Sequence, residues 1–492
     1  MGKKWVLPLA VILSLSTGAA GGFYITSQSA GGDITPILDR AGSGEKSEKE
    51  DRQVNDDLEK VGQAYDLIRE QYVEKVEDKQ LVEGAIKGML SSLKDPYSVY
   101  MDKETTAQFN ETLDSSFVGI GTEIGMEDGK IIIVAPYKDS PAERAGLKPK
   151  DELLKVNGES VEGLDLHQIG LRIRGKKGTE VTLEIQRTGV SEPITFHILR
   201  KEIPLETVFS SVKEKDGKNI GYIEVTTFAK ETAADFTKQL NGLENKGIQG
   251  LVIDVRGNPG GLLTSVQEVL ALFITKDKPY LQIAQRNGDT EAFFTKLKQE
   301  KKYPVAVLTD KGSASASEIL AGAMNEAADY PIVGEKTFGK GTVQHAVPME
   351  DGSNIKLTVF KWLTPDGNWI HKKGIQPTID VQQPDYFTSH PLQVERVFKR
   401  DMNNPQIKYA QEMLKGIGFE PGRDDGYYDE KTEIAIKAFQ QHQKLKVTGE
   451  LDKETAEKLE KAIIQKVQDE ANDVQLKTAL LYVAKLIASE AK

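Results

Sequence analysis

Three serines alternate with small residues in Gly312-Ser313-Ala314-Ser315-Ala316-Ser317-Glu318, directly ahead of the apolar helical run Ile319-Leu320-Ala321-Gly322-Ala323-Met324. A serine at a helix start is ordinarily an N-cap, and Glu318 suits the partner position of a capping box. One serine satisfies a cap, so the other two are surplus. A hydroxyl there also has a chemical use, because the first N–H groups of a helix can stabilise the oxyanion that forms when a carbonyl is attacked. Serine at its free pKa is a poor nucleophile and needs a base within hydrogen-bond reach. The chain has six histidines and no cysteine, which excludes thiolate nucleophiles, disulfides and thiolate metal sites. His345 neighbours Gln344 on an alternating run, so at most one of the two faces a site. Lys340 in Phe338-Gly339-Lys340-Gly341-Thr342 is the better candidate, since flanking glycines let the backbone aim its side chain into a cleft. A turn lysine is usually solvated. To act as a base it must titrate about three units below its ordinary value of ~10.4, roughly 4 kcal/mol of environment, and that demands a dry pocket.

The elements that must position these groups follow from hydrophobic patterning. Runs at 220–225, 250–255, 305–309 and 331–334 read as buried strands, with a helix over about 231–245. This rhythm predicts an α/β core with its active groups at strand ends. With 492 residues the chain exceeds what one core organises, so several modules are expected. The net charge of -11 gives no global basic field for nucleic acid, and nucleic acid is not expected as a partner. Neither a metal cluster nor a glycosidase carboxylate pair stands out, so no cofactor or metal is expected and a peptidoglycan-cutting enzyme is disfavoured.

The flanks are read the same way. Lys3 and Lys4 precede an uncharged run from Trp5 to Ile25, long enough to span a bilayer with its basic end cytoplasmic. Residues 1–30 are therefore expected to be a membrane anchor, or alternatively a signal peptide cut near Gly18-Ala19-Ala20, with the rest extracytoplasmic. Residues 31–50 read as a polar tether. Residues 51–112 read as helical, with Leu58, Val61, Ala64, Tyr65, Ile68 and Tyr72 on one stripe, a scaffold or dimerisation arm that makes a homodimer the expected assembly. The proline of Asp95-Pro96-Tyr97-Ser98 ends its second helical stretch. A last helix within 464–492 carries Leu476, Ala479, Leu480, Val483, Leu486 and Ile487 on one face, and it is expected to pack, with a dimer partner as one candidate surface.

Between 113 and 200 the texture is β-rich, and Val118-Gly119-Ile120-Gly121 opens it. Together with Ser140-Pro141-Ala142, Ala145-Gly146-Leu147, Ile173-Arg174-Gly175 and Gly178-Thr179, this segment resembles bacterial PDZ domains. The resemblance implies that a peptide C-terminus adds as a strand with its carboxylate on the Gly119–Gly121 loop. Arg174 would then sense occupancy, or else be a solvated loop charge.

The runs 312–323 and Gly334-Glu335-Lys336-Thr337-Phe338-Gly339-Lys340-Gly341-Thr342-Val343-Gln344 resemble the carboxy-terminal processing, or tail-specific, proteases. That resemblance implies Ser315 as nucleophile, Lys340 as general base and Gln344 orienting the lysine. It also implies an oxyanion hole from the N–H of Ala316 with Gly260 or Gly261, and a crotonase/ClpP-like core over 201–385. The substrates would be proteins with accessible C-terminal tails. Residues 403–463 resemble a three-helix peptidoglycan-binding module, through Gln411, Asp425-Gly426-Tyr427-Tyr428 and Phe439-Gln440. Peptidoglycan contact is implied, against the alternative of a scaffold that has lost glycan binding. The fold class expected is thus multidomain α+β. The module order is similar to B-type members of the family from spore-forming Gram-positive bacteria, which implies spore-envelope signalling in the forespore intermembrane space. The rival reading is a noncatalytic PDZ scaffold at the cell wall.

Overall fold

The computed structural model describes residues 48–114, 116–127, 130–137, 139–164, 166–388 and 390–490. The expected anchor, its cleavage site and nearly all of the tether lie outside the described residues. Among those described, no helix is long and apolar enough to cross a membrane.

The strands Gly250–Asp254 and Val305–Thr309 are buried at every position, which requires cover on both faces of the sheet. They form the centre of a six-stranded sheet ordered 208–215, 218–225, 250–254, 305–309, 332–334, 379–380. The first pair is antiparallel and the rest are parallel. Alternation sorts their side chains. Leu251, Ile253, Val305 and Val307 pack with the helices Thr232–Asn245, Leu263–Leu270 and Ala316–Ala328 in one core. Ile220, Val252, Ala306, Leu308 and Val333 face the other way, onto Leu476, Ala479, Leu480, Val483, Ala484 and Ile487 of the final helix Val474–Glu490. That helix packs, as expected, and the surface its apolar stripe covers is the second face of its own sheet. It lies so close that a Cβ at Gly250 would sit 2.3 Å from Val483 Cγ1.

A second sheet carries the hairpin Thr342–Pro348 and Asn354–Leu363. The latter strand also pairs with Leu281–Ala284 and with Val99–Met101 from far upstream. The β-rich module is threaded through a ribbon of Ser116–Gly119 with Lys201–Pro204. Its own sheet begins at Thr122–Glu127, which pairs on one edge only among the described residues.

Ahead of the module, the helices Glu48–Gln71 and Asp78–Ser91 leave Leu58, Val61, Leu67, Tyr72, Val82 and Met89 exposed. At the other end, the helices Pro405–Gly416, Glu430–His442 and Lys453–Gln468 surround Ile407, Leu414, Ile436, Phe439 and Leu459. The third helix runs past residue 463, so the expected boundary there falls inside an element. Asn404, Asp429 and Asp452 cap the three helices. The signature glutamines are engaged internally: Gln411 donates to Tyr427 O and Thr432 Oγ1, and Gln440 to Glu450 O, Thr448 Oγ1 and Thr455 Oγ1.

If the final helix is part of this α/β core, Leu476→Ala should lower the unfolding free energy by about 2–4 kcal/mol. Fluorescence of Trp362, buried on the other side of the same sheet, would report it. An unchanged denaturant midpoint would make the helix an appendage.

Candidate active site

The strand Val305–Thr309 delivers the chain to a turn organised by Asp310. One carboxylate oxygen, Oδ1, accepts the N–H groups of Gly312 (2.9 Å), Ser313 (3.0 Å) and, from another loop, Gly257 (2.8 Å). Of the three serines, the outer two are ties to that second loop. Ser313 Oγ donates to Val255 O (2.8 Å) and Ser317 Oγ to Asn258 O (2.9 Å). Ser315 Oγ is fully buried and has no hydrogen-bond partner among the described residues. Its backbone is held at φ 55°, ψ -111°, a sparsely populated conformation for a side-chain-bearing residue that surrounding contacts must impose.

Those contacts centre on Glu318. Its Oε2 accepts the N–H of Ser315 (2.9 Å) and also the N–H of Lys340 (2.8 Å). Its Oε1 accepts the N–H of Gly339 (2.7 Å) and the hydroxyl of Thr337 (2.6 Å). One buried carboxylate thus fixes the serine loop and the lysine loop to each other. Burial raises its pKa, and the four hydrogen bonds, from Thr337 and the Lys340, Ser315 and Gly339 backbones, oppose that. Gly339 has φ 94°, and a Cβ there would lie within 3.1 Å of the 372–374 backbone, so glycine is what lets the lysine loop pack down.

Lys340 is 1% exposed. Burial, reinforced by the buried Lys356, pulls its amine down to about 7, against the opposing pull of Asp95 and Glu318. The amine lies 4.5 Å from the ring centroid of Tyr97. Tyr97 reaches it because Asp95-Pro96-Tyr97-Ser98 is stitched to the second sheet: Ser98 Oγ donates to Asp95 Oδ2 (2.6 Å) and accepts the Thr358 N–H (3.0 Å). The backbone next to the lysine is anchored by indoles, Trp362 Nε1 to Lys340 O and Trp369 Nε1 to Gly341 O, both at 2.8 Å.

Gln344 is fully buried and His345 is half-buried. A β-bulge between Val343 and Gln344 turns both of those residues inward, which simple alternation would not do. The Gln344 amide donates to Thr342 Oγ1 (2.9 Å) and Thr358 Oγ1 (3.0 Å), while its Oε1 has no partner among the described residues. Gly260 packs against the serine, with a Cβ there 2.8 Å from Ser315 Cβ. Its N–H donates to Asn258 Oδ1 (2.8 Å), so in this conformation that amide is already engaged. The bridge of Gly261 to Phe228 runs through Gly260 O and the Leu262 N–H, leaving the Gly261 amide outside that ladder. Ala316 is the first residue of the serine helix, where backbone N–H groups lack intrahelical acceptors.

The β-rich module brings its expected residues together. Val118 and Gly119 lie in the entry ribbon, Ile120 is buried, and Gly121 turns with φ 71°. Arg174 stacks over the Phe117 ring at 4.9 Å and lies 3.9 Å from the Cβ position of Gly119. Arg200, not singled out by sequence, holds the Arg174 loop through Ile173 O (2.8 Å), Arg172 O (3.2 Å), Glu180 O (2.9 Å) and Thr179 Oγ1 (3.0 Å). Sequence reasoning also missed Glu318 as more than a cap, Tyr97 as a wall of the lysine pocket, and Lys356. A glutamate three residues after the middle serine was the one available signal. Among the described residues no group of three His, Cys, Asp or Glu side chains is placed to hold a metal ion.

Comparison with known proteins is consistent across the chain. Residues 219–381 match "Peptidase family S41", 132–187 a PDZ domain, 15–105 "Activating protease CtpB N-terminal domain" and 403–459 "Putative peptidoglycan binding domain". The carboxy-terminal processing protease CtpB of Bacillus subtilis is 60% identical over 86% of this chain and 88% of its own length. The protease CtpA of the same organism is 44% identical over 86% and 89%. A solved photosystem II D1 C-terminal processing protease is 26% identical over 65% of this chain and 92% of its own, with a TM-score of 0.40.

The dry pocket has a thermodynamic signature. The Lys340 amine titrates near 7 when folded and near ~10.4 when unfolded, so between these values the unfolded chain binds more protons and wild-type stability rises with pH. Lys340→Met should therefore melt higher than wild type at pH 7, with the gap closing as the pH approaches 10. A pH-independent gap would mean the amine is not held in a dry site.

Proposed function

The chain belongs to peptidase family S41, as a serine-type carboxy-terminal processing protease carrying a PDZ domain, and we propose that it cleaves peptide bonds with Ser315 as nucleophile and Lys340 as general base. The observation that carries this reading is the Glu318 clamp, which holds an unbonded serine hydroxyl on one loop and a lysine with an amine near 7 on the next. In the reaction, the neutral Lys340 amine takes the Ser315 proton as Oγ attacks the scissile carbonyl. The oxyanion is received by the Ala316 N–H together with that of Gly261, or of Gly260 once it leaves Asn258. Lys340 then returns the proton to the departing amine, and water opens the acyl-enzyme by the same route. The role proposed for Gln344 is to accept from the lysine ammonium through its unpartnered Oε1.

The PDZ domain is proposed to capture a substrate C-terminal tail as a strand against Thr122–Glu127, with its carboxylate at the Val118–Gly121 loop beside Arg174. Gating is part of the reading. Ser315 is fully covered in this state, so a substrate backbone reaches it only after a rearrangement that tail binding at the PDZ domain would favour. Location outside the cytoplasm, by anchor or secretion, rests on residues 3–25, and a role in spore-envelope signalling rests on the module order. The exposed apolar face of the arm favours a homodimer, and the C-terminal module favours peptidoglycan contact.

Casein digestion by the full chain tests the chemistry. Wild type should cleave, while folded Ser315→Ala and Lys340→Ala should fall by at least about a thousandfold. Cleavage retained by either variant refutes the assignment. The kcat/KM of wild type should rise with pH through about 7, because below that the amine keeps its proton and cannot take the serine's; a profile flat from pH 5 to 9 would contradict it. Deleting residues 113–200 should change both rate and tail preference, and unchanged values for both would remove gating.

A further inference from the structure

The proposed reaction makes no use of a largely buried ionic cluster behind the 257–261 loop, which carries Gly257, Gly260 and Gly261. Arg256 lies two residues beyond the strand Gly250–Asp254. Its Nε donates to both oxygens of Asp254 (3.0 and 3.1 Å) and its Nη2 to Asp254 Oδ2 (2.6 Å). Among the described residues, every other bond of the guanidinium goes to a segment more than two hundred residues away: Nη2 to Asp473 Oδ2 (2.8 Å), Nη1 to Asp473 Oδ1 (3.0 Å) and to Gln475 Oε1 (3.1 Å). Asp473 is itself oriented, accepting the Leu476 N–H (2.9 Å) at the start of the final helix and Gln383 Nε2 (2.7 Å). Arg256 and Asp473 are 16% and 14% exposed, so this fork is mostly out of water, where a bidentate carboxylate fixes orientation as well as charge.

From Arg256 the constraint continues along the loop. Gly257 is tied to Asp310, and Asn258 O accepts the Ala314 N–H (3.0 Å) and Ser317 Oγ (2.9 Å). Asn258 Oδ1 accepts the Gly260 N–H, and Gly260 packs on Ser315. Asp254, two residues from Arg256 on the same strand end, cannot by itself fix where the loop sits relative to the rest of the fold. The second carboxylate, from the other end of the chain, can.

We infer that Asp473 is a positioning residue for proteolysis, acting through Arg256 to hold the 257–261 loop against Ser315. The segment joining the peptidoglycan-binding-like module to the final helix thereby sets the geometry of the oxyanion site. This inference rests on the reading of Ser315 as nucleophile.

The test uses the full chain and a fluorogenic peptide substrate. Asp473→Asn keeps the size and the helix cap but loses the second charge, and it should lower kcat about tenfold or more with KM within about twofold, since small misplacements at a reacting centre are costly. Glu470→Gln is the comparison, because Glu470 ties the same segment to Lys213 without touching the loop; its kcat should stay near wild type. A wild-type kcat in Asp473→Asn overturns the inference, as does an equal fall in both variants that tracks their loss of melting temperature. If Asp473→Asn does not fold, Gln475→Met removes one acceptor of Nη1, and it should lower kcat in the same direction by less; an unchanged kcat there also overturns the inference. Ser315→Ala runs alongside. If it cleaves like wild type, the reading of the nucleophile has failed and not the role of Asp473.

Discussion

A single carboxylate governs the geometry on which the rest of this protein depends. Glu318 accepts from the serine loop through the Ser315 N–H and from the lysine loop through Thr337, Gly339 and Lys340. Neither loop has a regular element to define it at those points. Fully buried, the carboxylate is stable only with all its acceptor sites satisfied, so both loops must arrive together. The strained φ of Ser315 and the buried Lys340 amine are each unfavourable alone. The clamp, together with Tyr97, Trp362 and Trp369 around the lysine loop, lets both persist.

Behind the clamp, the sheet is covered twice. The helices inserted between its strands close one face, and the chain's last helix closes the other. The strand Gly250–Asp254, which feeds the 257–261 loop, therefore depends on segments both near to it and far along the sequence. The same holds for the lysine pocket, where Asp95, Tyr97 and the strand Val99–Met101 come from the upstream arm and Lys356 from the hairpin. The proposed active site is in this sense assembled from segments scattered over most of the chain, with the PDZ domain entering and leaving through one two-stranded ribbon.

Much was legible in the sequence, and for stated reasons. The buried strands read as continuous apolar runs because both faces are covered. The serine cluster stood out because three hydroxyls exceed what one cap needs, with the choice of Ser315 among them coming from the family resemblance, and Lys340 stood out because glycines flank it. Other features were invisible to a linear pattern. Gln344 and Val343 both point inward because of a bulge, which alternation does not predict. Gly260 looked as suitable an oxyanion donor as Gly261 until its N–H was found on Asn258 Oδ1. The final helix had an apolar stripe but no sequence mark of what it covers.

By itself, then, the sequence determined the modules, the buried strands and the residue types at the centre, since these follow from local periodicity, turn chemistry and the reactivity of individual side chains. Only the tertiary structure decided that Glu318 joins two loops, that Lys340 is dry enough for an amine near 7, and that Asp473 meets Arg256. Those are long-range contacts, and desolvation and hydrogen-bond pairing across such distances depend on where the chain returns, which no local pattern encodes.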